Sequence, residues 1–412
     1  MTGGRRSEHL LTVSFTALLA GQVISILGDR LNNIAMIELI AVETGRFHQS
    51  GSAFELSKLA LAMTLPSLVL GPLVGAFVDR VSRKRVLIIS DLARGLAVLA
   101  IPLLRPALPM WTVYGMVALL YFANLFFLPA RCAVVSEIVE QGNLLRANSL
   151  LSLGATVATI AGFGLGGILV THTGWRVAFV IDAITYFLSA ASLAMLAPRA
   201  PAESASCVHG RPYIGAIREA VAQLRHLAGA RTGVLIPPLL TAAGTVAYVL
   251  GVALIESGTP RGTMRVGFII SFAGAGMALG CYLTGRLFRG ISRQRVAFGA
   301  AAVAVLALVG VAITRRFMVM GLAATVAGLA AGPVLVTSET AIQEEAAPRR
   351  QATVFAVRDM LMKLGSALAA LAAPAVGAVL GLGPAMGLLL CLLLIPLGLI
   401  AWRSRRRPAD TG

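Results

Sequence analysis

Charged side chains inside otherwise apolar stretches are where this sequence could do chemistry. Asp29 sits in ISILGDRLNN with Asn33 one turn on, and Asp91 and Arg94 stand one helical turn apart in ISDLARGL. Asp182 neighbours Thr185 and Tyr186, and Arg358, Asp359 and Lys363 open a late apolar run. An ionised group facing lipid costs a few kcal/mol, so each must face protein or a water-filled cavity. Ion pairing, proton binding and contact with a polar solute are the roles open to them. For Asp91 and Arg94 an internal ion pair is the plainer reading. For Asp29, local satisfaction by Arg30 or Asn33 stands level with substrate binding or proton coupling, and Asp182 is a second carboxylate of the same kind. Arg358 and Asp359 favour gating over solute contact, with a simple ion pair as the plain alternative. Tyr248 and Trp111 are among the few aromatics expected near a lumen.

No hydrolytic or nucleotide-using centre is legible. There is no HExxH, no GxxxxGK[ST] and no cluster among the five histidines, so no enzyme, metal site, cofactor or ATP-driven pump is expected. The GFGLGG of residues 162–167 fits GxGxxG in form, but no alternating strand precedes it. Gly162 and Gly166 read better as a small-xxx-small surface for helix packing.

The elements that must hold these groups follow from composition. Of 412 residues, 57% are hydrophobic and only 13% are charged, against about 25% in an ordinary soluble domain. Mean hydropathy is +0.84. Twelve apolar segments recur along the chain, each able to cross a hydrocarbon core of about 30 Å. The first follows Arg5 and Arg6 like a secretory leader, but it continues past Leu31 and carries Asp29, so it is read as a retained helix. The net charge of +17 alternates by loop: 23 Lys and Arg fall in loops on one side and 7 on the other. That asymmetry predicts both termini in the cytoplasm and assigns the cations to topology and anionic lipid, not to nucleic acid. The four cysteines have no paired spacing and are expected as free thiols.

From Arg199 to Arg231 the composition turns to Pro, Ser and Arg, with Ile214, Ile217, Val221 and Leu224 at helical spacing. An amphipathic helix on the inner leaflet is expected there. The second half repeats the first: shifted by 210 residues, Gly71 to Val86 lies over Cys281 to Val296 with six of sixteen residues shared. The predicted fold is an all-α integral membrane protein of twelve transmembrane helices. They form two six-helix bundles related by parallel duplication around a central cavity. The divisions are 1–198, a linker at 199–231, 232–402 and a basic tail at 403–412.

Gly75 to Arg85, GAFVDRVSRKR, is similar to the GxxxDRxGRR loop of the major facilitator superfamily, and the whole chain resembles that family, with Ser82 in place of a glycine. The resemblance implies Gly75 for close helix contact and Arg80, Arg83 and Lys84 as surface cations. It also implies Asp79 as a latch that docks near the start of helix 11 in the outward-open state, against the helix dipole or Arg358. Arg289 replaces the acid in the second half, so the latch should be asymmetric. ISILGD, FLPAR followed by LLRANSLL, and QEEAAPRRQATVFAVRD resemble the macrolide-efflux and enterobactin-exporter-like branch, with lysophospholipid transporters as relatives. Helix 5 resembles the antiporter motif GPxxGG with Phe163 where the proline stands, which removes the expected kink. The implied protein is a secondary active transporter working by alternating access, exporting amphiphilic or hydrophobic small molecules in exchange for protons. A lysophospholipid permease of the same fold is the alternative. Its implied partners are a small-molecule substrate, protons and membrane lipids, as a monomer in the cytoplasmic (inner) membrane.

Overall fold

The computed structural model describes residues 12–45, 49–78, 81–105, 107–140, 143–197, 228–256, 262–287, 291–314, 316–345 and 351–405. They form twelve long helices and no strand. These are α1 (Val13–Glu43), α2 (Gln49–Val78), α3 (Arg83–Leu104), α4 (Met110–Ile138), α5 (Leu144–Thr173) and α6 (Trp175–Ala194) in the first half. The second half has α7, α8 (Gly262–Leu287), α9 (Arg293–Ile313), α10 (Phe317–Glu345), α11 (Gln351–Leu380) and α12 (Leu382–Arg405). Helix α7 runs Ala228–Val246, passes through a π-helical stretch at Ala247–Gly251 and ends as Val252–Glu256. The expected linker helix near 214–224 and Cys207 lie outside the described residues; Cys132, Cys281 and Cys391 are free thiols.

Eleven of the twelve helices are long and apolar enough to cross a membrane by length and composition. The exception is α1, the first of the twelve expected spans, whose 31 residues include Gln22, Asp29, Arg30, Asn32, Asn33 and Glu38. It nonetheless runs from one side of the bundle to the other. At its start the Ser14 hydroxyl accepts the Ala197 N–H just past α6, and at its end Glu43 pairs with Arg105 just past α3 at 2.5 Å. The side holding the starts of α1 and α3 also carries Arg83 and Lys84 and is called the basic side below. The other is the distal side.

The duplication is visible in the packing. Helix α1 packs on α5, α2 on α4, and α3 on both α4 and α6; α7 packs on α11, α8 on α10, and α9 on both α10 and α12. Helices α3 and α9 begin at residues 83 and 293, the 210-residue shift read from the sequence. Their N-caps, Ser82 and Ser292, have φ of −58° and −59°, a region open to any residue, so serine in place of the family glycine carries no strain. Each half also joins its fifth and sixth helices through one glycine at positive φ, Gly174 (80°) and Gly381 (83°). Arg83 pairs with Glu137 in the first half and Arg293 with Glu344 in the second, tying the third helix to the fourth in each. Between the halves, α5 packs on α8 and α2 on α11.

Candidate functional site

A cavity of about 610 Å³ lies between the two halves, walled by α1, α2, α4 and α5 on one side and by α7 to α11 on the other. Ile37, Met63, Phe163, Val252, Ile269 and Leu308 give it a mostly apolar surface. Its polar groups are Asn33, Thr64, Tyr121, Thr241, Thr245, Tyr248 and Ser366. Several are already satisfied: Thr245 and Ser366 share a hydrogen bond at 2.7 Å, Thr64 donates to the Ala60 carbonyl at 2.8 Å and Thr241 to the Pro238 carbonyl at 3.0 Å. The Tyr248 hydroxyl, carried on the π-helical stretch of α7, is buried and has no hydrogen-bond partner. Such a wall suits a solute that is largely apolar with few polar groups.

The two halves meet level with this cavity and distal to it. Ser57 of α2 donates to the Ala370 carbonyl of α11, and Thr263 at the start of α8 donates to Glu38 of α1. Ser271 of α8 donates to the Ile160 carbonyl of α5 at 2.9 Å. Along the α5–α8 seam the contact is main chain on main chain. A Cβ on Gly267 would stand 2.5 Å from the Phe163 carbonyl oxygen, and one on Gly167 would stand 3.0 Å from that of Met264. Gly162 and Gly166 turn instead toward α1, against Arg30 and Leu31, so the GFGLGG run serves two helix contacts.

A second chamber of about 140 Å³ opens within the first half and shares Asn33, Met63 and Tyr121 with the large cavity. Asp29, Arg30, Asn32, Asn124 and Tyr186 also line it. The Tyr186 hydroxyl of α6 donates to Asp29, and the Arg30 guanidinium lies over the Phe163 ring of α5, 5.4 Å from its centroid. Neither Arg30 nor Asn33 is therefore the local partner of Asp29.

Behind the chamber a buried network joins α1, α3, α4 and α6. Asp91 (0% exposed) pairs with Arg94 (2%) and accepts the Ser189 hydroxyl at 2.6 Å. Arg94 donates to Asn124 at 3.2 Å and lies between the Phe127 and Tyr186 rings, 4.2 and 4.7 Å from their centroids. Asp182 (0% exposed) accepts Asn32 at 2.8 Å and Thr185 at 3.2 Å. Gly28 makes room for it, since a Cβ there would stand 2.1 Å from the Thr185 hydroxyl. Of the intramembrane acids singled out in the sequence, Asp29 faces a cavity, whereas Asp91 and Asp182 are enclosed by their partners.

On the basic side, Gly75 lies in the last turns of α2, while Asp79 and Arg80 lie outside the described residues. Arg83 and Lys84 are structural ties as well as cations. Arg83 holds Glu137, and the Lys84 ammonium donates to the Ala194 and Leu196 carbonyls at 2.7 Å each, capping the end of α6. Arg358 donates to the Ser338 hydroxyl at 3.3 Å over the Phe355 ring, while Asp359 is exposed. Neither they nor Lys363 line the cavity. Trp111 is 71% exposed at the distal start of α4 and is not a cavity residue, because it falls on that helix's outer face. The sequence singles out neither Tyr121 nor Asn124, and it names Arg30, Phe163 and Tyr186 only as a possible partner of Asp29, a departure from a motif and a neighbour of Asp182. The spacing of Tyr121 and Asn124, three apart, and of Asp182 and Tyr186, four apart, was the available signal.

A family model described as Major Facilitator Superfamily matches residues 18–370. The uncharacterized MFS-type transporter YfiS of Bacillus subtilis is 28% identical over 283 residues, 68% of this chain and 65% of that protein. The multidrug efflux pump Tap of Mycolicibacterium fortuitum is 32% identical over 42% of this chain and 41% of its own length. Macrolide efflux protein A of Streptococcus pyogenes is 32% identical over 32% of each chain. The matches thus span less than two thirds of these relatives. Among solved structures, a bacterial homolog of the human lysosomal transporter Spinster, in an inward-facing and unoccupied conformation, superposes with a TM-score of 0.75 at 14% identity. That match covers 96% of this chain and 98% of the other. The nucleoside transporter NupG (D323A mutant) gives 0.74 at 12% identity, covering 95% and 99%.

Proposed function

This chain belongs to the Major Facilitator Superfamily, and from that premise we propose that it exports amphiphilic or hydrophobic small molecules by alternating access, driven by protons. The observation that carries the reading is the 610 Å³ cavity between the two halves, apolar over most of its wall, with the halves in contact through α5–α8 and α2–α11 level with it and distal to it. Relatives named as a multidrug pump and a macrolide efflux protein support export of drug-like solutes. The loop-charge asymmetry supports a cytoplasmic basic side, with both termini there, in the inner membrane. The cavity would then load from the cytoplasm. The same reading makes 199–231 the linker between bundles at 1–198 and 232–402, with the protein acting as a monomer.

Asp29 is the proton site in this proposal, because it is the intramembrane carboxylate that lines a chamber sharing Asn33, Met63 and Tyr121 with the cavity. In proteoliposomes with an imposed pH gradient, wild type moves ethidium or erythromycin at a gradient-dependent rate. Asp29→Asn loses that dependence, and unchanged coupling in the variant would remove Asp29 from the mechanism. Asp79 is the latch for the opposite state. Asp79→Lys inserts normally and loses transport, and full activity would discard the latch.

A further inference from the structure

Two oppositely charged pairs in the first half behave in opposite ways. Asp91 and Arg94, three residues apart on α3, contact each other and line neither cavity. Asp29 and Arg30, adjacent on α1, both line the small chamber and form no ion pair with each other among the described residues. Adjacent positions on a helix diverge by about 100°, so the two side chains leave α1 toward different neighbours. Asp29 takes one hydroxyl from Tyr186, and Arg30 lays its plane on Phe163. A carboxylate has about four acceptor sites and a guanidinium five donors, so both retain capacity toward the chamber. The Arg30 Nε is buried without a hydrogen-bond partner, an unmet donor beside an acid that it does not neutralise.

We infer that the chamber is a head-group subsite for a zwitterion, in which Asp29 takes an ammonium and Arg30 a carboxylate of the same solute. The inference rests on the proposed transport reading and names its substrate class: a small amino-carboxylate head on an apolar body. The head fits, since a cavity of about 150 Å³ holds a benzene-sized group and this one is about 140 Å³. The body would lie toward the 610 Å³ cavity, past Asn33, Met63 and Tyr121, which line both spaces. Asn33 and Asn124 supply amide groups around the head. A chamber built for a simple cation would not keep a guanidinium in its wall, and one built for a simple anion would not keep Asp29.

The test uses four probes on one naphthyl body: free naphthylalanine, its N-acetyl form, its amide, and the doubly capped form. They bind to the purified full-length protein at slightly acid pH, where the amine of the amide stays charged. The free zwitterion is expected to bind about tenfold or more tighter than either singly capped probe. In Arg30→Gln the free acid loses its advantage over the amide and keeps its advantage over the acetylated form. In Asp29→Asn the pattern reverses. The wild-type comparison needs no variant, and Arg30→Lys and Asp29→Glu, which keep charge, retain the wild-type order. Four probes binding within twofold of one another, or none binding, overturns the subsite. If wild type then still moves ethidium or erythromycin, the transport reading stands without it, whereas no movement of either drug discards that reading.

Discussion

The two halves share a skeleton and differ in what they bury. Both keep the serine N-cap at the third helix, the ion pair from third helix to fourth, and the single positive-φ glycine between fifth and sixth. At the positions 210 residues on from Asp91 and Arg94, α9 carries Ala301 and Ala304, 3% and 1% exposed. The second half's wall of the large cavity offers hydroxyls from Thr241, Thr245, Tyr248 and Ser366, and no charged side chain among the described residues. Voids follow a similar asymmetry. On the basic side the second half keeps a cavity of about 290 Å³ between α7, α9 and α10. The corresponding corner of the first half is filled by Phe15, Leu87, Phe127 and Val134. Duplication has preserved the struts, while charge has been concentrated in one copy.

The largest test of that contrast lies on α3. Arg94→Ala or Asp91→Ala alone leaves an uncompensated buried charge and should cost about 3–5 kcal/mol, read as lost thermal stability in detergent. The double change to alanine, which copies Ala301 and Ala304, should recover much of it. If the double variant is as unstable as the worse single one, the network is more than a paired charge and the two helices are not interchangeable. Next comes the seam between halves. Gly267→Val forces a methyl group against the Phe163 carbonyl, an overpacking penalty of about 1–3 kcal/mol borne by the distally closed state. Labelling of a single cysteine engineered near the distal end of α5 should rise in the variant. The smallest effect separates the paired struts. Arg83→Ala should destabilise slightly more than Arg293→Ala, each by about 1 kcal/mol or less, since Arg83 is 24% exposed and Arg293 47%. Equal melting shifts would mean that burial does not distinguish them.

Much of the skeleton was legible because it is written locally. Apolar run length predicts twelve spans, of which eleven are long and apolar enough to cross a membrane among the described residues, and the 210-residue repeat anticipated the matched starts of α3 and α9. The Asp91–Arg94 pair was readable because its partners are three residues apart. Asp29 was visible as an anomaly, but its partner was not: Tyr186 lies 157 residues away, and only packing of α6 on α1 brings them together. Arg30 was legible only as a possible partner of Asp29, and its place in the chamber depends on the face that α1 turns to α5. The π-helical stretch that carries Tyr248 has no signal in hydropathy, which cannot see one extra residue in a turn.

The glycine seam between α5 and α8 has a kinetic consequence. Where Gly164, Gly167 and Gly267 approach the opposing helix, few side chains interlock, so parting the seam requires little rotamer sorting and exposes little side-chain surface. Beside the Ser271 hydrogen bond to the Ile160 carbonyl, its cohesion comes from close van der Waals contact and weak Cα–H to carbonyl interactions, each worth under about 1 kcal/mol. A barrier of that kind is shallow in both directions. Its opening rate can then be governed by what occupies the cavity, while the balance between the two states shifts only by the solute's difference in affinity for them.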